Sequence, residues 1–437
     1  MSTVSLPVAA VAADLLAAYR PGDALFSSPR GALLAEGARA VVPTAGLADA
    51  AGVPARMAAL LDGFGPDAVV VGALPFARGG VGRLVVPERV LRTGPATEDV
   101  DLGPGTGVAA GPLADATAGP PVRRSAPATH AGAWTVRPIP APEAYAAAVD
   151  EAVARMDGHA GPLRKVVLAR ALELTAAEPV DPGAILRRLA ARDPRGYAFA
   201  VDLGADGTLV GASPELLVSR HGDLVVAQPL AGSAPRRPDA VADRSGADAL
   251  LRSPKDLREH ALVVDAVADA LRPLCAELDV PDAPSLVATN AMWHLGTTVV
   301  GRLVDPATTA LELAVALHPT PAVCGTPPDA ARALIAELEP FDRGPYAGAV
   351  GWQDATGDGE WVVTIRCGVV RDRSLRVFAG AGVVPGSRGV DELAETHAKL
   401  RTFLSALGVE EAGPPDPPRA AGVAPVASGA ATAEERR

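Results

Sequence analysis

The sequence is poor in aromatic side chains, which make up 3% of its residues. Alanine, glycine and proline are abundant, and we read that balance as GC-rich coding bias before structural message. Cysteine is nearly missing too. Cys275, Cys324 and Cys367 are the three present, an odd number with no CxxC pair. A disulfide framework is therefore excluded, and a reducing compartment, the cytoplasm, is expected. No run of 18 apolar residues occurs, so no membrane-spanning helix is expected. The N-terminal "MSTVSLPVAAVAADLLAAYRPGD" has no basic leader, and Asp14 interrupts its apolar stretch. It reads as an amphipathic helix rather than a signal peptide. The net charge is −11 and no basic block exists, which argues against nucleic acid as a partner. HEXXH, Walker A and GxSxG motifs are absent, as is any internal repeat of fixed period.

What is present is a large apolar fraction, 49%, spread over 437 residues, enough for an extensive core. "DALFSSPRGALLAEG" predicts a hairpin around Pro29-Arg30-Gly31, and "AVVVGALPF" a buried strand. Residues 96–133 are dominated by Gly, Pro, Ala and Thr and predict a long surface connection. "PEAYAAAVDEAVARM" predicts a helix and "KVVLARALELT" a strand. The stretch from Ala198 to Leu230 predicts three or four antiparallel strands, turned at Gly204–Gly207 and His221–Asp223. "SPKDLREHALVVDAVADALRPLCAEL" predicts one long helix, capped by Ser253 with Pro254 in its first turn. "AMWHLGTTVVGRLV" predicts one strand and "PDAARALIAELEPF" a helix. The segment Tyr346–Val384 predicts a meander of three strands. "RGVDELAETHAKLR" predicts the last helix, and residues 412–437 a disordered tail. Long antiparallel ladders with helices between them indicate an α+β class with one large unit over 1–411, not a Rossmann fold. Its N-terminal portion is 1–133 and its motif-bearing core is 134–411.

Four features carry candidate chemistry. Asp256 and Glu259 are spaced i, i+3 on the long helix, and Glu392 and Glu395 repeat that spacing on the last. Together they could form an all-oxygen site for a hard cation; on spacing alone they read equally as two solvated helix faces. Lys165 opens an apolar strand, as an exposed strand-start lysine or as a desolvated base. Glu215 in "GASPELL" is a rim carboxylate or, if buried, a general acid of raised pKa. "FAGAGVVPGS" misses the dinucleotide fingerprint in its spacing and suits backbone amides holding a carboxylate. His260, His294 and His318 are scattered over different elements and make a weak metal triad.

Taken together, these stretches resemble the chorismate-utilising enzymes. "KVVLAR", "GASPELL", "PLAGSAPR", "SPKDLREHALVV", "WHLGTTVVG", "HPTPAVCGTP", "GDGEWVVTIRC", "FAGAGVVPGS" and "ETHAKL" occur in family order from about Lys165 to Leu407. The resemblance is strongest to the branch that isomerises chorismate to isochorismate for siderophores. It implies antiparallel sheets packed face to face with helices outside, an α/β sandwich. It implies that Lys165 is the general base and Glu215 the general acid. Glu259 and Glu395 match the Mg²⁺ ligands, with Asp256 and Glu392 reaching the metal through water; the family often has Glu in place of Asp256. His294 matches the histidine beside the substrate ring, and Ala322 lies on a loop lining the pocket. Arg366, Gly380, Gly382 and Lys399 match positions that hold substrate carboxylates. Ala231 stands where the aminodeoxychorismate branch carries a lysine nucleophile, and Lys165 points to water as the nucleophile instead. The rival is salicylate formation, in which pyruvate is then lost. Tyr346 bears on that choice, because tyrosine is typical of the lyase branch and phenylalanine of the isomerase branch. A cytoplasmic monomer acting on chorismate is expected.

Overall fold

The computed structural model describes residues 5–6, 8–43, 52–77, 80, 82–93, 134–157 and 161–409. The connection expected at 96–133 and the tail expected at 412–437 lie outside the described residues, the latter entirely and the former throughout. Two large sheets dominate, one of eleven strands and one of nine, with a third, three-stranded sheet beside them. Pairing is antiparallel throughout except for the short edge strand Ser5–Leu6, which runs parallel to Arg89–Thr93.

Strand alternation sorts side chains between two cores. In the strand Tyr197–Asp202, Phe199 and Val201 enter a cluster that draws on both large sheets. Ala198 and Ala200 face the opposite way, into a second cluster. The same split occurs in Ala24–Ser28 and Gly31–Glu36, the hairpin anticipated around Arg30. A period of two forces this division, because successive side chains leave a strand on opposite faces. Helices Val8–Ala18, Pro182–Arg192 and Gly389–Leu407 cover the outer face of the larger sheet, placing Leu15, Leu186, Leu189, Phe403 and Leu404 in the second cluster. Both expected fold features, large antiparallel sheets and helices outside them, are present.

Three of the expected elements are differently cut. The long helix ends at Leu271, and Cys275–Asp279 is a strand of the nine-stranded sheet. "AMWHLGTTVVGRLV" is two strands, Met292–Gly296 in the small sheet and Val299–Leu303 in the nine-stranded one. The expected three-strand meander is four strands: Ala349–Asp354 and Gly359–Val363 in one large sheet, Cys367–Arg371 and Ser374–Val383 in the other. Each miss falls at or beside a point where the chain passes between layers. Such crossings recur at Pro214-Glu215, at Pro229, at Thr297-Thr298 and at Thr364–Arg366. They gather functional side chains at the seam between the sheets.

Candidate active site

The seam is pinned by its own backbone. Ser213 Oγ donates to Val363 O at 2.7 Å, and Val363 N–H donates to Glu215 O at 3.1 Å. Ala212 N–H donates to Arg366 O at 3.1 Å. Arg366 itself has φ of +52°, a left-handed backbone that costs a residue with a Cβ about 1 kcal/mol or more. The turn it makes carries its guanidinium inward, where it is buried. A cavity of about 670 Å³, counting the space at its mouth, opens at this seam.

Glu215, Glu259, His294, Ala322, Arg366, Gly380, Gly382, Glu395 and Lys399 all line that cavity. Residues scattered over 185 positions of sequence therefore meet, as the resemblance implied. Lys165, Asp256 and Glu392 do not line it; Lys165 stands behind Glu259, which does. Lys165 begins the strand Lys165–Thr175, which pairs with Ser374–Val383 so that Gly382 faces Val167 and Gly380 faces Ala169. Its side chain is fully buried, and Nζ lies 3.0 Å from Glu259 Oε1. The expectation of an exposed strand-start lysine is thus overturned in favour of the desolvated one.

Glu215 is 2% exposed, and burial pushes its carboxyl up to about 7. The Leu230 N–H, which donates to Oε1 at 3.3 Å, and the cations Lys165, Lys399 and Arg366 only partly offset that burial. A carboxyl poised near neutrality is suited to give up a proton there. His294 is held well below its usual range, by burial first and then by Arg366 and Lys399. Its imidazole is neutral.

Three of the four acidic side chains pair with a lysine, Glu259 with Lys165, Glu392 with Lys255 and Glu395 with Lys399. Lys399 Nζ lies 2.7 Å from Glu395 Oε1, and it also donates to Gly380 O at 2.8 Å. Lys255 Nζ donates to Glu392 Oε1 at 2.8 Å. Burial alone would raise Glu395, but Lys399, Lys255 and the Ser233 hydroxyl bring it below the ordinary carboxylate range. Glu392 is raised by burial and by its neighbour Glu395. Asp256 is raised by burial and by Glu259, and its backbone N–H is bound by the Ser253 cap. Glu259, Glu395, Asp256 and Glu392 thus offer an all-carboxylate donor set from two helix faces. Among the described residues no three His, Cys, Asp or Glu side chains converge on one point to cage a metal. Mg²⁺ commonly takes one or two carboxylates and fills its other positions with water and substrate oxygens, so two of these carboxylates would suffice to hold it.

Ser233, Lys255 and Phe378 were not singled out from sequence, whereas Tyr346 was. Ser233 donates to Glu395 Oε1 at 3.2 Å, and Lys255 neutralises Glu392. Tyr346 and Phe378 stack with centroids 5.0 Å apart and form an apolar wall, beside Ile365, Val167 and Val323. Lys255 was findable, since it sits next to Asp256 in "SPKDLREH". Ser233 offered no local signal.

Residues 121–408 match the family described as chorismate binding enzyme. The chain belongs to that family. It is 47% identical to isochorismate synthase DhbC of Bacillus subtilis (strain 168), over 91% of this chain and 97% of that protein. The crystal structure of DhbC from Bacillus anthracis superposes with a TM-score of 0.80 at 43% identity, covering 92% of this chain and 100% of that one. MenF, the menaquinone-specific isochorismate synthase from Escherichia coli, shares the fold at a TM-score of 0.71 and 23% identity, over 91% of each chain.

Proposed function

We propose that this enzyme is an isochorismate synthase, which reversibly converts chorismate to isochorismate by water attack at C2 and loss of the C4 hydroxyl. The observation that carries the reading within the family is Ala231. It lines the cavity beside Glu215, and a methyl group cannot attack carbon, so this position supplies no lysine nucleophile. Water serves in this reading, and water needs a base. Lys165 is the base in this reading and takes the proton from water as it adds to C2. Glu215 protonates the C4 hydroxyl, which leaves as water while the ring double bonds shift. In the reverse direction the two exchange roles.

Arg366 and Lys399 supply fixed positive charge for the two carboxylates of chorismate. Neutral His294 stands beside the ring as a hydrogen-bonding group, and the Tyr346–Phe378 wall gives the ring an apolar surface. Gly380, Gly382 and Ala322 leave room for it. Glu259 and Glu395 would hold Mg²⁺, with Asp256 and Glu392 reaching it through water. Bound there, the cation would neutralise charge on the ring carboxylate. The similarity to DhbC supports a siderophore route for the product, and the enzyme is proposed to act as a cytoplasmic monomer.

The test is a product assay. Purified protein with chorismate and MgCl₂ should give isochorismate by liquid chromatography and no pyruvate by a lactate dehydrogenase–NADH couple. Stoichiometric pyruvate with fluorescent salicylate would reassign the enzyme to the lyase branch.

A further inference from the structure

The side chain assigned as general base does not reach the cavity. Lys165 has no exposed surface, and Nζ has no hydrogen-bond partner beyond its ion pair with Glu259. Glu259, by contrast, lines the cavity. Its carboxylate therefore lies between Lys165 and the space where substrate would sit.

Gly382 explains how the carboxylate fits there. A Cβ built on Gly382 would lie 2.2 Å from Glu259 Oε1 and 3.2 Å from Lys165 Cε. The backbone at 382 is not left-handed, so conformation does not demand glycine. What demands it is the notch left by the missing side chain, which the Glu259 carboxylate fills. The strand pairing of Gly382 with Val167 fixes the notch next to the Lys165 strand.

We infer that Glu259 is a movable roof over Lys165, seated in the Gly382 notch, and that the base meets the cavity only when this one side chain turns away. This rests on the reading of Lys165 as the base. It gives Glu259 a positioning role separate from any cation it holds. A site built this way keeps its amine from contents of the cavity until the carboxylate is drawn elsewhere. Gly382 acts as a positioning residue through Glu259, without needing to touch substrate.

The test is reductive methylation of the substrate-free, cation-free enzyme with formaldehyde and cyanoborohydride, followed by peptide mass spectrometry at Lys165. Formaldehyde is small enough to enter the cavity. In the wild type, Lys165 should react slowly. Glu259→Ala removes the roof and should speed labelling by at least about tenfold, the signature of a locally opened site. Gly382→Ala keeps the carboxylate charge but fills the notch, and should speed labelling to a similar extent. Circular dichroism and the labelling of exposed lysines would certify that both variants are folded. Should Gly382→Ala misfold, Gly382→Ser in its place would be judged by the same readout, and Glu259→Ala decides alone if neither folds. Wild-type Lys165 reacting as fast as in Glu259→Ala overturns the roof. The chorismate product assay is independent, so a protein that labels as expected yet makes no isochorismate would refute the function and leave the roof standing.

Discussion

Arg366 Nη2 lies 3.3 Å from His294 Nε2, inside the cavity wall. A guanidinium has only donors, so the ring nitrogen facing it must accept. The proton of neutral His294 is then on Nδ1. Arg366 thereby sets the tautomer of the imidazole as well as carrying charge, and Thr402 Oγ1, accepting from Nη1 at 3.4 Å, helps aim it. Long-range ¹H–¹⁵N correlation should show the Nδ1–H tautomer at neutral pH. Arg366→Lys keeps the charge but loses the fork, and should lower kcat/KM by roughly 10–100-fold. An imidazolium signal near neutral pH would contradict this arrangement.

Glu215 yields a pH prediction of the same sign for activity and stability, both falling as pH rises. The forward reaction uses its protonated form, so kcat should fall as pH rises through about 7. Its folded pKa is raised above the unfolded value, so the native state holds its proton more tightly. Its contribution to stability is therefore fully present below the unfolded pKa of 4.5 and is lost progressively up to about 7. Glu215→Gln removes both effects. It should lose about 10²–10⁴ in kcat, and at pH 8 it should melt at a higher temperature than the wild type. A variant less stable than wild type at pH 8 would show that the carboxylate is better accommodated than its burial implies.

The chain's own letters carried some of this and withheld the rest for physical reasons. Ser253-Pro254 announced the helix start, because caps act within one turn. The (i, i+3) acidic pairs said that two carboxylates share a face, and no more. Nothing in "WHLGTTVVG" marks where it breaks, since both halves are largely buried strands. Pairing decides: Met292–Gly296 binds Leu230–Pro235, while Val299–Leu303 binds Leu224–Gln228. Lys255 and Glu392 are 137 positions apart, so only the fold reveals their contact. The roles of Lys165 and Glu215 came from family resemblance, whereas their burial came from the structure.

Lys255 bears on cation binding. Its ammonium is raised in pKa, because Glu392, Glu259 and Glu395 outweigh the burial that would lower it. It is therefore a fixed positive charge beside the carboxylates proposed to hold Mg²⁺. Two like charges in a partly screened site repel by a few kcal/mol at most. Lys255→Met should bind Mg²⁺ several-fold more tightly by calorimetry, and should melt earlier without the metal because Glu392 loses its counter-ion. Dialysis against EDTA should abolish turnover in both proteins, and Mg²⁺ should restore it. Unchanged or weaker Mg²⁺ binding in Lys255→Met would place the cation away from Glu392.

Arg343 ties the pocket loop to the strand that bears Lys165. Its guanidinium is buried, donates to Val323 O at 2.8 Å and Val167 O at 2.7 Å, and pairs with Glu339 through Nε at 2.8 Å. Glu339 in turn accepts from Ala169 N–H at 2.7 Å. The guanidinium carbon also sits 4.3 Å from the centroid of the Phe76 ring. Arg343→Met retains much of the volume but strands the buried Glu339 carboxylate and both carbonyls. Breaking one partner of such a pair costs about 3–5 kcal/mol, which denaturant melts would read directly. Arg343→Met with Glu339→Gln removes the stranded charge, so the double variant should recover part of the loss. A double variant as unstable as the sum of the two single ones would mean that the carbonyls, rather than the ion pair, set the cost.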